Sequence, residues 1–297
     1  IYGTGFSTTP ASNNVSFGGV SAAVTSASGQ KLVVTVPLSV AAGNLTVTVS
    51  GRTSVAFTYQ VGPVRCNFAN SGAQDQALNN SWSSASPDGR FVIFASADTA
   101  LVSGDTNFRR DVFLRDTVTG TTTRESVATG GVELDGDSTA IQVSSDGRFV
   151  LFTSDANNIS TDPRRIAGKP MTYLRDRQNN ITTQVGTLID NGSSNAVGVV
   201  GSMMTADGRY VVFTRGQDIG AGWYIGQPTS EIVFLDVQSG VAQWEFPTVD
   251  GSPASVGIWL LDMTPDGRLI LFSAEDGNFV AGDTNGHSDV FLYDRAS

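Results

Sequence analysis

Ser86-Pro-Asp-Gly-Arg90 followed by Phe91-Val-Ile-Phe94 decides how this chain is read, because the phrase returns three times. The copies are Ser145-Asp-Gly-Arg148 before Phe149-Val-Leu-Phe152, Ala206-Asp-Gly-Arg209 before Tyr210-Val-Val-Phe213, and Pro265-Asp-Gly-Arg268 before Leu269-Ile-Leu-Phe272. The glycines at 89, 147, 208 and 267 stand 58, 61 and 59 residues apart. So regular a period marks a structural unit copied in tandem. It also assigns most recurring residues to scaffold instead of chemistry.

Each phrase opens an alternating apolar run. A polar loop follows, then a second run ending in aspartate: Val112-Phe-Leu-Arg-Asp116, Thr172-Tyr-Leu-Arg-Asp176, Ile232-Val-Phe-Leu-Asp236 and Val290-Phe-Leu-Tyr-Asp294. Short runs rich in β-branched and aromatic residues and bounded by turn formers are β-strands. Asp-Gly accepts positive φ, which predicts a two-residue hairpin turn with a strand on each side, Ala140 to Val143 preceding it in the second unit. Asp116-Thr-Val-Thr-Gly120 and Asp236-Val-Gln-Ser-Gly240 turn the chain again, into Thr121 to Ser126 and Val241 to Phe246. Four antiparallel strands per unit is the content of one propeller blade.

The repeat has a phase. Val64-Arg-Cys-Asn-Phe-Ala-Asn70 aligns with the fourth strand of a blade, as Thr122 to Val127 does in the first unit, whereas the last unit reaches Asp294-Arg-Ala-Ser297 without one. The expectation is an all-β chain with about four visible four-stranded blades, near 71–127, 128–186, 187–246 and 247–297, the last blade closed by the strand at 64–70. In such a ring the first and fourth units are neighbours.

The Asp-Gly-Arg units followed by Val-Phe-Leu-x-Asp resemble the TolB-type, PD40-like propeller repeats of bacterial envelope and secreted proteins, over residues 64 to 297. Such repeats commonly build six or more blades. Residues 1–62 resemble an IPT/TIG domain, an immunoglobulin-like β-sandwich, through Ile1-Tyr-Gly-Thr-Gly-Phe6, Val15-Ser-Phe-Gly-Gly19, Leu32-Val-Val-Thr-Val-Pro37, Gly43-Asn-Leu-Thr-Val-Thr-Val49 and Phe57-Thr-Tyr59. Leu45, Val47 and Val49 alternate with polar neighbours, as a strand with one buried face requires. The domains implied are 1–62 and 63–297, meeting at Gly62-Pro63. The IPT/TIG family normally has a strand before its Ile-x-Gly-x-Gly-Phe segment, and this sequence does not. Both ends therefore read as cut with respect to the fold. Either the chain is a piece of a longer protein, or neighbouring copies supply the missing strands through open edges.

Composition narrows the partners. The formal net charge is −10, and only Lys31 and Lys169 are lysines among 18 basic residues. Without a basic stripe interleaved with aromatics, nucleic acid is not a partner this sequence suggests. No apolar run approaches the roughly 20 residues of a membrane-spanning helix. A single cysteine, Cys66, excludes an intrachain disulfide and reads as a small core residue. The one histidine, His287, lies outside any nucleophile-elbow context, and two His or Cys residues cannot supply a usual zinc site. Glycine-rich stretches here lack the following helix that phosphate binding needs. The sequence thus names no catalytic residue and points away from an enzyme.

One constellation stands above the scaffold. Asp105-Thr-Asn107-Phe-Arg-Arg-Asp111 and Asp283-Thr-Asn285-Gly-His-Ser-Asp289 share an Asp-x-Asn-x-x-x-Asp frame. Oxygen ligands at loop positions 1, 3 and 7 resemble the start of an acidic calcium loop, with the fourth unit the better candidate because Arg109 and Arg110 oppose a cation in the first. The plainer reading makes Asp105 and Asp283 turn formers, with Asp111 and Asp289 paired to arginine. The second and third units lack the frame, so the fold does not need it in every blade. In the third unit, residues 215–230 replace it and carry Trp223 and Tyr224, candidate contacts for a protein or sugar. Trp244 and Trp259 lie in strands and are expected in the core.

Three functional readings follow. The first is a non-catalytic extracellular or cell-surface module for adhesion or assembly, with calcium as its candidate stabilising ion and protein partners or further copies meeting its strand edges. The second is a polysaccharide-active enzyme, or its carbohydrate-binding part. The third is a TolB-like periplasmic interaction scaffold.

Overall fold

The computed structural model describes residues 1–36, 43–59, 66–67, 69–72, 81–159, 170–185, 198–216, 228–245, 247–251, 257–275, 277–283 and 285–296. They fall into two compact units, Ile1–Arg65 and Cys66–Ser297. The chain is all-β, with only isolated 3-10 turns among the described residues.

In the first unit, β1 (Asn13–Phe17), β2 (Val20–Ala27), β3 (Leu32–Thr35), β4 (Gly43–Val49) and β5 (Arg52–Thr53) pair in the order β3-β2-β1-β4-β5, and β6 (Phe57–Tyr59) adds to β4. Alternation places Val15, Phe17, Leu32 and Val47 on one buried face, joined by Phe6 and Leu45 at its margin. Ile1 exchanges backbone hydrogen bonds with Leu32 at 2.8 Å, so the first residues are tied to the sheet. Asn13 is buried because its amide donates to the carbonyls of Ser7 and Thr9, at 2.9 and 3.0 Å.

The second unit is a series of antiparallel sheets, one per repeat. Sheet 1 holds β7 (Ser81–Ala85), β8 (Phe91–Ser96), β9 (Asp111–Asp116) and β10 (Thr121–Arg124). Sheet 2 holds β11 (Ser138–Val143), β12 (Phe149–Ser154), β13 (Met171–Asp176) and β14 (Ile181–Gln184). Sheet 3 holds β15 (Gly198–Met204), β16 (Tyr210–Gly216), β17 (Pro228–Asp236) and β18 (Ala242–Glu245). Sheet 4 has three strands among the described residues: β19 (Trp259–Met263), β20 (Leu269–Ala274) and β21 (Asp289–Asp294).

The Asp-Gly-Arg turn is wider than the two-residue hairpin expected. Ser86 N–H donates to Phe91 O and Gly89 N–H to Ser86 O, both at 2.8 Å, enclosing Pro87 to Arg90. The Ser86 hydroxyl donates to Asp88 at 2.6 Å, and Asp88 accepts from the Arg90 N–H at 3.1 Å. Ser144, Thr205 and Thr264 each bond the turn aspartate in the same way at 2.7 Å. The hydroxyl before the turn and the N–H after it both bond the aspartate, an Asx-type arrangement that holds the wider loop together. Each repeat arginine then pairs with the aspartate that ends its sheet's third strand: Arg90–Asp116 at 2.9 Å, Arg148–Asp176 at 2.7 Å, Arg209–Asp236 at 3.2 Å and Arg268–Asp294 at 2.8 Å.

Adjacent sheets pack through alternate residues. Phe91, Ile93, Val112 and Leu114 of sheet 1 meet Val150 and Phe152 of sheet 2. Leu151 and Leu174 of sheet 2 meet Val211, Phe213 and Val233 of sheet 3. Val212, Ile232 and Phe234 of sheet 3 meet Ile270, Phe272 and Phe291 of sheet 4. Burial on both faces explains why these strands read as nearly continuous apolar runs. The turn glycines belong to the same interlock. A Cβ on Gly147 would lie 2.7 Å from the Phe91 ring of sheet 1, whereas a Cβ on Gly89 would meet open space.

Polar contacts repeat across the sheets as well. Arg177 donates to Glu125 at 2.8 Å and Arg295 to Glu245 at 2.7 Å, joining sheets 1 and 2 and sheets 3 and 4 through equivalent positions. Asn70 caps Thr122 by bonds of 2.6 and 2.9 Å, as Thr129 caps Thr182 by bonds of 3.0 and 3.1 Å. Residue 70 therefore stands to sheet 1 as residue 129 stands to sheet 2. Three of the seven residues of the closing strand expected at 64–70 (64, 65 and 68) lie outside the described residues, and the other four belong to no described strand.

Candidate functional site

The two Asp-x-Asn-x-x-x-Asp loops share one backbone design. In the first, Asn107 Nδ2 donates to Asp111 Oδ2 at 2.9 Å, while Asn107 Oδ1 accepts the Arg109 N–H at 2.8 Å. In the fourth, Asn285 Nδ2 donates to Asp289 Oδ2 at 2.8 Å and Asn285 Oδ1 accepts the His287 N–H at 2.7 Å. Each asparagine thus clamps the loop onto the aspartate that starts the third strand.

What faces the carboxylates differs. In the first unit Arg124, at the end of β10, reaches Glu133 at 2.6 Å, Asp105 at 3.2 Å and Asp111 at 3.5 Å, and donates to Gly104 O at 3.1 Å. Ser126, two residues on, donates to Asp111 Oδ1 at 2.5 Å and accepts the Val112 N–H at 2.9 Å. The cation that faces Asp105 and Asp111 is therefore a guanidinium of this chain, and it comes from the fourth strand instead of from Arg109 or Arg110. Burial, reinforced by the charge of Asp111, pushes the Asp105 carboxyl up to about 6, with Arg124 acting in the opposite direction. Burial also raises Asp111, against its bonds from Ser126 and Asn107. Glu133, despite some desolvation, is held down at about 2 by bonds from Thr106 and Arg124.

In the fourth unit no cation pairs with Asp283 or Asp289 among the described residues. The loop borders a cleft of about 490 Å3 whose apolar part is formed by Phe279, Val280, Phe291 and Leu292. Val290 and Leu292 are 63% and 65% exposed, whereas Val112 and Leu114, at the same repeat positions, are 0% and 1% exposed. Leu261 and Trp259 extend the uncovered apolar surface on β19. The outer edge of β21 pairs with no described strand. Trp244 and Trp259, expected in the core, are both exposed, and Trp259 alternates with Leu260, which takes the place in the cluster between sheets 3 and 4. His287 is exposed, and among the described residues no group of three or more His, Cys, Asp or Glu side chains is arranged to hold a metal. Trp223 and Tyr224 lie outside the described residues.

Arg124 and Glu133 were the residues that motif reading passed over. Comparing fourth-strand positions would have found the first: Arg124 stands where the second and third units have Gln184 and Trp244, and those two units lack the acidic frame.

Residues 1–64 match the IPT/TIG domain model. No curated protein matches the sequence. Among solved structures, TolB from Acinetobacter baumannii shares 17% identity at a TM-score of 0.38, over 79% of this chain and 44% of that one. A putative TolB from Agrobacterium tumefaciens shares 15% identity at a TM-score of 0.44, over 90% and 74% of the two chains. The β-propeller domain of the Trilobed protease from Pyrococcus furiosus, which has an open velcro topology, shares 12% identity at a TM-score of 0.41, over 90% and 66%. The chain thus spans less than half the length of the Acinetobacter protein.

Proposed function

We propose that this chain is a non-catalytic binding module of an extracellular or cell surface, which joins protein partners or further copies of itself through the open side of its fourth sheet. The observation that carries the reading is the contrast between Val290 and Leu292, both well exposed, and their buried counterparts Val112 and Leu114. Apolar residues repeated at interface positions and left uncovered mark a surface that gains free energy on association. The repeat arginines and aspartates, the richest source of paired charges, are engaged with one another as scaffold.

Light scattering coupled to size-exclusion chromatography tests the proposal over a range of protein concentrations. Association that grows with concentration and is abolished by Leu292→Glu, with the melting temperature little changed, is the expected result. A chain that stays monomeric throughout overturns the self-association form of the proposal. Failure of Leu292→Glu to reduce association removes the fourth sheet from it.

A further inference from the structure

We infer that the loop carrying Phe108 forms a second association surface, whose occupant is the same surface of a second copy of this chain. It is separate from the fourth sheet and does not depend on that reading. Among the described residues three side chains other than glycine sit at positive φ: Ser50 at 48°, Phe108 at 56° and Asn180 at 57°. Asparagine tolerates the left-handed region, whereas a bulky aromatic there is strained. The fourth unit fills the same loop position with Gly286, at a φ of 68°. The loop therefore needs no side chain at this place, and burial does not offset the strain of Phe108, which is 84% exposed. No chain end lies nearby in the sequence: residues 81–159 are described without a break, and sheets 1 and 2 each have four strands.

The loop is held against the connection between those two sheets. Thr106 donates to Glu133 through its N–H and its hydroxyl, at 2.7 and 2.6 Å, and Asn107 Nδ2 donates to Leu134 O at 2.9 Å. The Arg110 N–H donates to Asp137 at 3.0 Å, and the Ser138 N–H to Arg110 O at 2.7 Å. Segments 106–110 and 133–138 thus run side by side, with Phe108 and Arg109 between the anchors of one and Asp135 between those of the other. Val132, 57% exposed, adds an apolar side chain at the margin. Arg109 and Asp135 are both exposed, and neither pairs with an opposite charge among the described residues. Asp135 gives only Oδ1 to the N–H groups of Asn157 and Asn158. A patch with an apolar centre, an arginine and a carboxylate is its own complement. A two-fold axis beside Phe108 stacks the rings of two copies and brings Arg109 of each against Asp135 of the other. The chain's net charge of −10 opposes association elsewhere on its surface, and the arginines here offset it. Firm anchoring also lowers the entropy lost on contact.

Sedimentation equilibrium on Leu292→Glu, in which the fourth sheet is blocked, tests the inference. The small patch should give a dimer that dissociates on a sizing column and forms at about 0.1–1 mM. Phe108→Gly should weaken it by about tenfold or more. Arg109→Gln and Asp135→Asn should each weaken it several-fold, and together by little beyond either alone, since both remove one contact. Asp135→Asn keeps the oxygen that Asn157 and Asn158 use. In dilute monomer, Phe108→Gly should leave the melting temperature unchanged or raise it, because glycine relieves the strain. A lowered melting temperature would show the ring covered within the chain and overturns the inference, as does a dimer indifferent to Phe108→Gly. Wild-type association that Leu292→Glu removes at every concentration keeps the fourth-sheet reading and overturns this one. Association that Phe108→Gly removes and Leu292→Glu leaves unchanged does the reverse.

Discussion

The first and fourth units contain the same turn, the same asparagine clamp and the same apolar positions, yet one is filled and the other open. In the first, sheet 2 and the connection carrying Ala128 and Leu134 cover Val112 and Leu114, and Arg124 meets the acidic frame. In the fourth, the corresponding face and edge have no described cover. The contrast separates what a repeat does for its own stability from what it offers to a partner, because the residue types are nearly constant and only their surroundings change.

Removing the central cation should show this contrast at its largest. Arg124→Ala leaves Asp105, Asp111 and Glu133 facing one another in a buried site, so chemical denaturation should report a loss of about 3–5 kcal/mol. Asp289→Asn, in the partly exposed equivalent of Asp111, should stay within about 0.5 kcal/mol. Similar losses in the two variants would show that the fourth loop is filled after all.

The apolar pair comes next. Leu114→Ala opens a cavity between sheets 1 and 2 and should cost about 2–4 kcal/mol, while Leu292→Ala at the same repeat position should again stay within about 0.5 kcal/mol. A large effect of Leu292→Ala in the monomer would mean that the face is covered within the chain.

A third comparison concerns the turn glycines. Gly89 and Gly147 have the same φ of 71°, so alanine strains the backbone equally in both. Only at Gly147 does the new methyl strike the Phe91 ring. Gly147→Ala should therefore exceed Gly89→Ala by about 1–2 kcal/mol in urea denaturation. Equal effects would show that the rings of sheet 1 move aside freely.

A fourth comparison is a pH dependence. With its carboxyl pushed up to about 6, Asp105 keeps a proton in the folded chain that the unfolded chain releases. Its contribution falls as pH rises between about 4 and 6. Asp105→Asn removes that loss, so the variant's melting temperature relative to wild type should climb across this window and level off above it. Glu133, held near 2, remains charged throughout the window and does not confuse the reading. A constant difference between variant and wild type would place the raised carboxyl elsewhere.

Much of the fold was legible because the Asp-Gly-Arg period, the paired apolar runs and the terminal aspartate recur at fixed spacing, and each reflects a local requirement: a positive φ, a two-sided buried strand, a partner for arginine. The hydroxyl at Ser86, Ser144, Thr205 and Thr264 was also visible, but its effect on turn length depends on bonds that only the folded loop displays. The acidic frame is visible along the sequence and its partner is not. Arg124 approaches Asp105 and Asp111 only because β10 returns antiparallel to β9, a consequence of register that spacing along the chain does not show. Trp259 was misplaced for a related reason, since a strand residue is buried only if another sheet covers its face.

Residue-resolved hydrogen exchange tests the openness of the fourth sheet most directly. The Val112 N–H of β9 points toward the β10 side, where Ser126 accepts it, and the period of two aims the Leu114 N–H the same way. The matching amides of Val290 and Leu292 point to the free edge of β21. In this chain, Val112 and Leu114 should exchange slowly and Val290 and Leu292 quickly. Slow exchange at Val290 and Leu292 would contradict the openness of the fourth sheet.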